Sequence, residues 1–144
     1  MEKLPNIDGR PVRVLGVEDN EVNQFVLRSI LELIGAQVAI VENGEEAIAA
    51  WEAANWDLIL MDIQMPVMDG VDATREIRRR EAENGRFKTP IVAITANVMN
   101  HQTGRYFAAG MDELVPKPID VERLQQVILA SLQARSASGG SRCA

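Results

Sequence analysis

The chain has 144 residues, 47% hydrophobic and 25% charged, with a net charge of -6. This is one domain of ordinary globular composition, long enough to bury a core, and its acidity disfavours a nucleic-acid partner, which needs a basic face. Cys143 is the only cysteine, which excludes an internal disulfide framework and a cysteine-built zinc site. No apolar run approaches the roughly 20 residues needed to span a bilayer. The start, Met1-Glu2-Lys3-Leu4-Pro5, has no signal-peptide core, so a cytoplasmic location without direct membrane contact is expected.

Residues 1–11 contain Pro5, Gly9 and Pro11 and read as a leader or linker. Residues 12–17 form a first apolar strand that runs into Glu18-Asp19. Asn20 or Asp19 then caps a helix whose apolar positions Val22, Phe25, Val26, Ile30 and Leu33 recur at helical spacing, and Gly35 stops it. Residues 38–41 are a second strand, and Asn43-Gly44 turns into a helix carrying Ala47, Ile48, Trp51 and Ala54. Residues 57–61 make a third strand, whose apolar run Leu58-Ile59-Leu60-Met61 is closed by Asp62. A helix over 70–83 follows, capped by Asp69 and ended by Asn84-Gly85. Residues 90–94 form a fourth strand that leads to Thr95, and a weaker helical segment covers 100–109 before Gly110. Leu114-Val115 marks a short fifth strand ahead of Lys117, and Val121, Leu124, Ile128 and Leu132 mark a final amphipathic helix. Residues 135–144, rich in Ser and Gly, are expected to be a disordered tail, which leaves 12–134 as the folded unit.

Five strands alternating with five helices imply an α/β fold with a doubly wound parallel sheet. Ligands gather at the carboxyl ends of such strands, where this chain places Glu18, Asp19, Asp62, Thr95 and Lys117. Carboxylates about 4 Å apart repel by roughly 4 kcal/mol at an effective dielectric near 20, and a bound divalent cation removes that cost. An all-oxygen donor set with few carboxylates suits magnesium. Together with an amine and a hydroxyl, these are the parts needed to move a phosphoryl group onto Asp62.

Glu18-Asp19-Asn20, Asp62 within MDIQMPVMDG, Thr95-Ala96-Asn97 and Lys117-Pro118 resemble the receiver domain of two-component response regulators. The likeness covers about residues 12–133, and the wording VEDNEVNQ and MDIQMPVMDG is most similar to receivers of hybrid histidine kinases. The resemblance implies a flavodoxin-like sheet of order 2-1-3-4-5 with five flanking helices. It also implies that Asp62 accepts a phosphoryl group from a partner phosphohistidine, on a histidine kinase or a histidine phosphotransfer protein. Asp19, Glu18, Asp62 and the backbone carbonyl of Gln64 would hold Mg2+, and Lys117 would pair with a phosphoryl oxygen. Thr95 would shift to bond the phosphoryl group, small Ala96 would leave the approach open, and Lys117-Pro118 would be a cis peptide. Such a domain is not an independent enzyme. Output would pass through the fourth helix, fifth strand and fifth helix, a face that could also carry a homodimer. The chain would be either a free single-domain regulator or, preferred on the leader and the wording, the receiver of a hybrid kinase.

Two residues depart from the family pattern. Leu114 stands where receivers often carry a switching Tyr or Phe, so an aromatic readout at that position is excluded. Gly16 occupies a strand position usually held by a large apolar residue, which implies weaker packing or a bulky neighbour. Neither Gln64 nor Asn97 is a carboxylate that could activate water, so slow self-dephosphorylation is expected.

More ordinary roles compete for other residues. His101 is expected to be merely exposed, Arg78-Arg79-Arg80 a solvated helix end, and Trp51 and Trp56 packing residues. Rival functions fit less well. An aspartyl phosphatase would place an acid at Gln64, and a flavin phosphate loop would not be built from Glu18-Asp19-Asn20-Glu21. A pseudo-receiver that binds partners without accepting a phosphoryl group is the remaining alternative.

Overall fold

The structure, a computed structural model, describes residues 4–7, 9–63, 67–96 and 100–142. Its elements are β1 (Arg13–Val17), α1 (Glu21–Leu33), β2 (Gln37–Val41), α2 (Gly44–Ala53), β3 (Leu58–Asp62), α3 (Gly70–Asn84), β4 (Ile91–Thr95), α4 (Asn100–Ala108), β5 (Glu113–Pro116) and α5 (Val121–Arg142). The strands pair in parallel in the order β2-β1-β3-β4-β5. This is the doubly wound sheet expected from the sequence, with the strand order that the resemblance implied.

Strand alternation sends successive side chains to opposite faces, and two cores result. Leu58 and Leu60 of β3 join Leu27 and Leu31 of α1 and Leu124 and Ile128 of α5. Ile59 and Met61 face the other way, toward Trp51 of α2, Val71 and Ile77 of α3, and Tyr106 of α4. Because both faces are covered, every residue of β3 and β4 is buried, which is why these strands read as unbroken apolar runs.

Side-chain caps start α1, α2 and α3. The side chains of Asn20, Asn43 and Asp69 accept hydrogen bonds from the backbone N–H groups of Asn23, Glu46 and Asp72 at 3.0, 2.9 and 2.9 Å. Each satisfies a donor that a helix N-terminus leaves orphaned. Trp51 and Trp56 are packing residues, 1% and 9% exposed. Arg86 stacks on the first at 3.9 Å and Arg13 on the second at 4.9 Å. Gly16 is filled by its neighbours: a Cβ there would lie 3.0 Å from Leu27 Cδ2 and 3.4 Å from Ile40 Cγ1.

Four features differ from the simplest reading of the sequence. In α1 the side facing the core is Leu27 and Leu31, with Ile34 just beyond, whereas Val22 and Phe25 are 70% and 71% exposed and Leu33 60%. Part of the leader is fastened to the domain. Leu4 is buried and its N–H donates to Ile34 O at 2.7 Å, while Arg10 forks onto buried Asp57 at 2.8 and 3.1 Å. Arg78 is no solvated arginine, since it bonds Gly110 O, Glu81 and Asp112 at 3.0, 2.7 and 2.8 Å and ties α3 to the turn before β5. Finally, the helical backbone of α5 continues over 135–142, within the segment for which composition predicts disorder. No Pro interrupts this stretch, and extending a formed helix needs no new nucleus. Among the described residues no helix is long and apolar enough to cross a membrane.

Candidate functional site

The order β2-β1-β3 reverses the winding direction between β1 and β3, and such a reversal opens a crevice beyond the strand ends. Glu18 and Asp19 directly follow β1, and Asp62 is the last residue of β3. Glu18 N–H continues the ladder onto Val41 O at 3.0 Å, and Ile63 N–H donates to Ile94 O at 3.2 Å, so the backbone on both sides of the crevice is fixed. Glu18 and Asp62 are buried, 5% and 3% exposed, while Asp19 is exposed. One carboxylate oxygen from each of the three lies within 4.8 Å of the others.

Lys117 enters from the far side of the sheet. Its N–H donates to Thr95 O at 2.9 Å. Its ammonium lies 3.2 Å from Asp62 Oδ2 and 3.3 Å from Glu18 Oε1. Burial works against the lysine's charge, but attraction to Asp62 and then Glu18, with the hydrogen bonds to both, outweighs it and raises its pKa above the ordinary lysine value. The Lys117-Pro118 bond is cis. Thr95 ends β4, buried, one residue past the partner of Asp62 in the ladder, and Ala96 beyond it is exposed. Leu114 is half-buried on β5, opposite Ala93, and packs against the core that holds Tyr106.

Gln64 and Asn97 lie outside the described residues, as does the side chain of His101. Of the other expected site residues, Glu18, Asp19, Asp62, Thr95, Ala96 and Lys117 lie at or just beyond the strand ends, whereas Leu114 lies within β5. Two contacts that sequence reasoning did not anticipate hold Glu18 in place: Asn20 N–H donates to Glu18 Oε2 at 3.1 Å, and the Gln24 side-chain amide donates to Glu18 O at 2.6 Å. Asn20 acts through its backbone N–H, which leaves no mark in the sequence; the Gln24 side-chain amide at the start of α1 was the one available signal.

Three carboxylates face one ammonium, so the cluster carries surplus negative charge. Its donors are all oxygen, two come from buried side chains, and Asp19 opens to solvent. That set fits a hard divalent cation that retains water, as magnesium does, and offers no nitrogen or sulfur for a softer metal.

Comparison with known proteins agrees with this geometry. Residues 14–129 match the response regulator receiver domain. The sensor protein GacS of Pseudomonas syringae is 43% identical over 125 residues, 87% of this chain and 14% of that protein. The aerobic respiration control sensor protein ArcB of Escherichia coli is 39% identical over 117 residues, 81% of this chain and 15% of that protein. The chain thus spans about a seventh of these relatives. Among solved structures, the receiver domain of the Pseudomonas aeruginosa sensor histidine kinase PA1611, which has a magnesium ion in its active-site cleft, superposes with a TM-score of 0.77 at 36% identity, covering 85% of this chain and 98% of that one. The receiver domain of Saccharomyces cerevisiae Ssk1, solved with the histidine phosphotransfer protein Ypd1, gives 0.77 at 34% identity, covering 82% and 86%. The chain belongs to the response regulator receiver domain family and resembles the receivers of hybrid histidine kinases.

Proposed function

We propose that this domain accepts a phosphoryl group on Asp62 from a partner phosphohistidine and acts as a phosphorylation-dependent switch or relay. The observation that carries this reading is the cluster itself: a buried aspartate at the topological switch point, within 4.8 Å of two further acids and 3.2 Å from a lysine. Burying Glu18 and Asp62 beside a third acid costs stability, which a bound cation offsets.

In the transfer, an oxygen of Asp62 forms the new O–P bond as the P–N bond breaks, and the bonding electron pair stays with the imidazole. Glu18, Asp19 and Asp62, with the carbonyl of Gln64, are the residues to hold magnesium, which when bound offsets negative charge on the phosphoryl oxygens. Lys117 is placed to turn from its two carboxylates to a phosphoryl oxygen. Thr95 is placed to donate its hydroxyl from the neighbouring strand, and exposed Ala96 leaves the approach free. Phosphorylation brings nearly two negative charges to this strand end. With Leu114 in place of an aromatic, its effect reaches the α4, β5 and α5 face by another route than a swinging ring.

The unpartnered side of α1 supports a protein donor. Val22, Phe25 and Val26 are exposed on a helix that begins two residues after Asp19, and exposed apolar patches of this kind mark contact surfaces. Residues 12–134 are the unit that carries the function, in the cytoplasm and not as an independent enzyme, either alone or within a hybrid kinase.

The test is intact-mass measurement after treatment with magnesium and a small phosphodonor. Addition of one phosphoryl group in the wild type, absent in Asp62→Asn, supports the reading. No addition in either protein favours the pseudo-receiver.

A further inference from the structure

The acid cluster lies at the carboxyl ends of the strands. At their amino ends two arginines collect on one turn. Arg13 opens β1, and Arg86 lies between α3 and β4. Both reach the turn that joins α2 to β3. Arg13 Nη1 donates to Asn55 O at 3.1 Å, and Arg86 Nη2 donates to Ala54 O at 3.2 Å. Each guanidinium also lies over an indole, Arg86 on Trp51 at 3.9 Å and Arg13 on Trp56 at 4.9 Å. Both indoles are buried, and the Nε1–H of Trp56 donates to Ala50 O at 2.9 Å, which fixes that ring further. The two cations therefore rest on rigid platforms, and little side-chain freedom remains to be lost when an anion pairs with them.

Neither guanidinium has an acid to pair with. Arg10, Arg78, Arg79 and Arg80 each form ion pairs with carboxylates, whereas among the described residues Arg13 and Arg86 form none. The carboxylate of Asp57, just beyond this turn, is already taken. It accepts from the Arg10 guanidinium at 2.8 and 3.1 Å and from the Arg13 backbone N–H at 2.8 Å. A guanidinium carries more donors than these carbonyl bonds use, and both arginines are half-buried, open to solvent on one side. Fixed guanidinium forks of this kind suit carboxylates, which they bind through paired N–H bonds. Phe87, next to Arg86, is 53% exposed, and Asn55 is exposed. Cations flanked by an aromatic ring and an amide suit a peptide better than a bare anion, since arginine and aromatic side chains are the groups enriched where proteins meet.

We propose that Arg13 and Arg86, stacked on Trp56 and Trp51, form a docking site for an acidic peptide segment of a partner protein. Extended strand separates Arg13 from Glu18 by about 16 Å, so a segment docked here leaves the acid cluster uncovered. The inference does not depend on phosphoryl acceptance at Asp62.

The test is titration with a short polyglutamate peptide at low ionic strength, followed by NMR. The chain has a net charge of -6, so its overall field repels such a peptide, and saturable binding requires a local cationic site. The expected result is saturable shifts of the side-chain Nε–H resonances of Arg13 and Arg86 and of the indole N–H resonances of Trp51 and Trp56. Arg28 and Arg123 also lack an acid partner among the described residues but lie over no ring, and their resonances should stay in place. Replacing both Arg13→Gln and Arg86→Gln should weaken the peptide about tenfold, a few-fold from each as for exposed ion pairs. Replacing both Arg28→Gln and Arg123→Gln should leave affinity within about twofold of wild type. Should the Arg13 and Arg86 variant not fold, the wild-type shifts decide together with two further probes, a polyglutamine peptide and inorganic phosphate, both of which should bind more weakly than polyglutamate. Absence of saturable binding, equal loss in the two double variants, or polyglutamine or phosphate binding as tightly as polyglutamate would each overturn the proposal.

Discussion

Asp62 lies within 4.8 Å of the carboxylates of Glu18 and Asp19 and 3.2 Å from the ammonium of Lys117. At an effective dielectric near 20, unit charges 4.8 Å apart repel by about 3.5 kcal/mol. The two acids together therefore oppose the charge on Asp62 by about 7 kcal/mol, and Lys117 at 3.2 Å returns about 5 kcal/mol. The balance, about 2 kcal/mol against the charge, disappears when the chain unfolds into water. Asp62→Asn keeps the shape and an oxygen for Lys117 but removes the charge. It should stabilise the metal-free protein by about 2 kcal/mol. Magnesium at 100 times its dissociation constant should add about 2.7 kcal/mol to the wild type and much less to the variant, which has lost a charged ligand. Urea denaturation in chelator and again in excess magnesium measures both differences. A variant less stable than wild type in chelator, or one with an undiminished response to magnesium, would refute the electrostatic reasoning.

Asp57→Ala should cost about 2–4 kcal/mol of stability, since it strands the half-exposed Arg10 and the Arg13 N–H that now donates to Asp57 at 2.8 Å. Thermal denaturation measures the loss, and magnesium affinity should not change, because this clamp sits at the start of β3 and the acids at its end. A double Val22→Ser/Phe25→Ala variant should slow transfer from a phosphohistidine protein about tenfold or more, as losses at an interface anchor do. Labelling by a small phosphodonor should be unaffected, and equal slowing of both would remove α1 from partner contact. Purified phosphorylated protein should keep its label well beyond seconds, because neither Gln64 nor Asn97 supplies a base; loss within seconds would show that water is activated by another group.

The site was legible in the sequence because a parallel sheet delivers every strand end to one edge. An apolar run closed by a polar residue therefore locates that residue in three dimensions, as it did for Glu18, Asp62 and Thr95. Lys117 was legible for the same reason, since Leu114-Val115 precedes it. The core side of α1 was not. Leu27, Leu31 and Ile34 recur at helical spacing just as Val22, Phe25, Val26 and Leu33 do. Periodicity recognises a helix that is apolar on two sides without choosing the buried one. The leader misled for a different reason. Pro5, Gly9 and Pro11 are real breakers of regular structure, but Arg10 is held by Asp57, 47 residues away, a long-range pairing that no local pattern contains. The left-handed backbone of Val67, φ 70°, was equally hidden, because a β-branched residue gives no local signal of a positive φ.

Transfer of a phosphoryl group from a phosphohistidine to Asp62 can be followed directly. The most direct measurement incubates the chain with a histidine phosphotransfer protein carrying a labelled phosphoryl group, in magnesium, and maps the label by peptide analysis. The expected result is label leaving the donor and appearing on Asp62, with none transferred to Asp62→Asn or in the presence of chelator. Label that stays on the donor, or that reaches another residue of this chain, would contradict the claim.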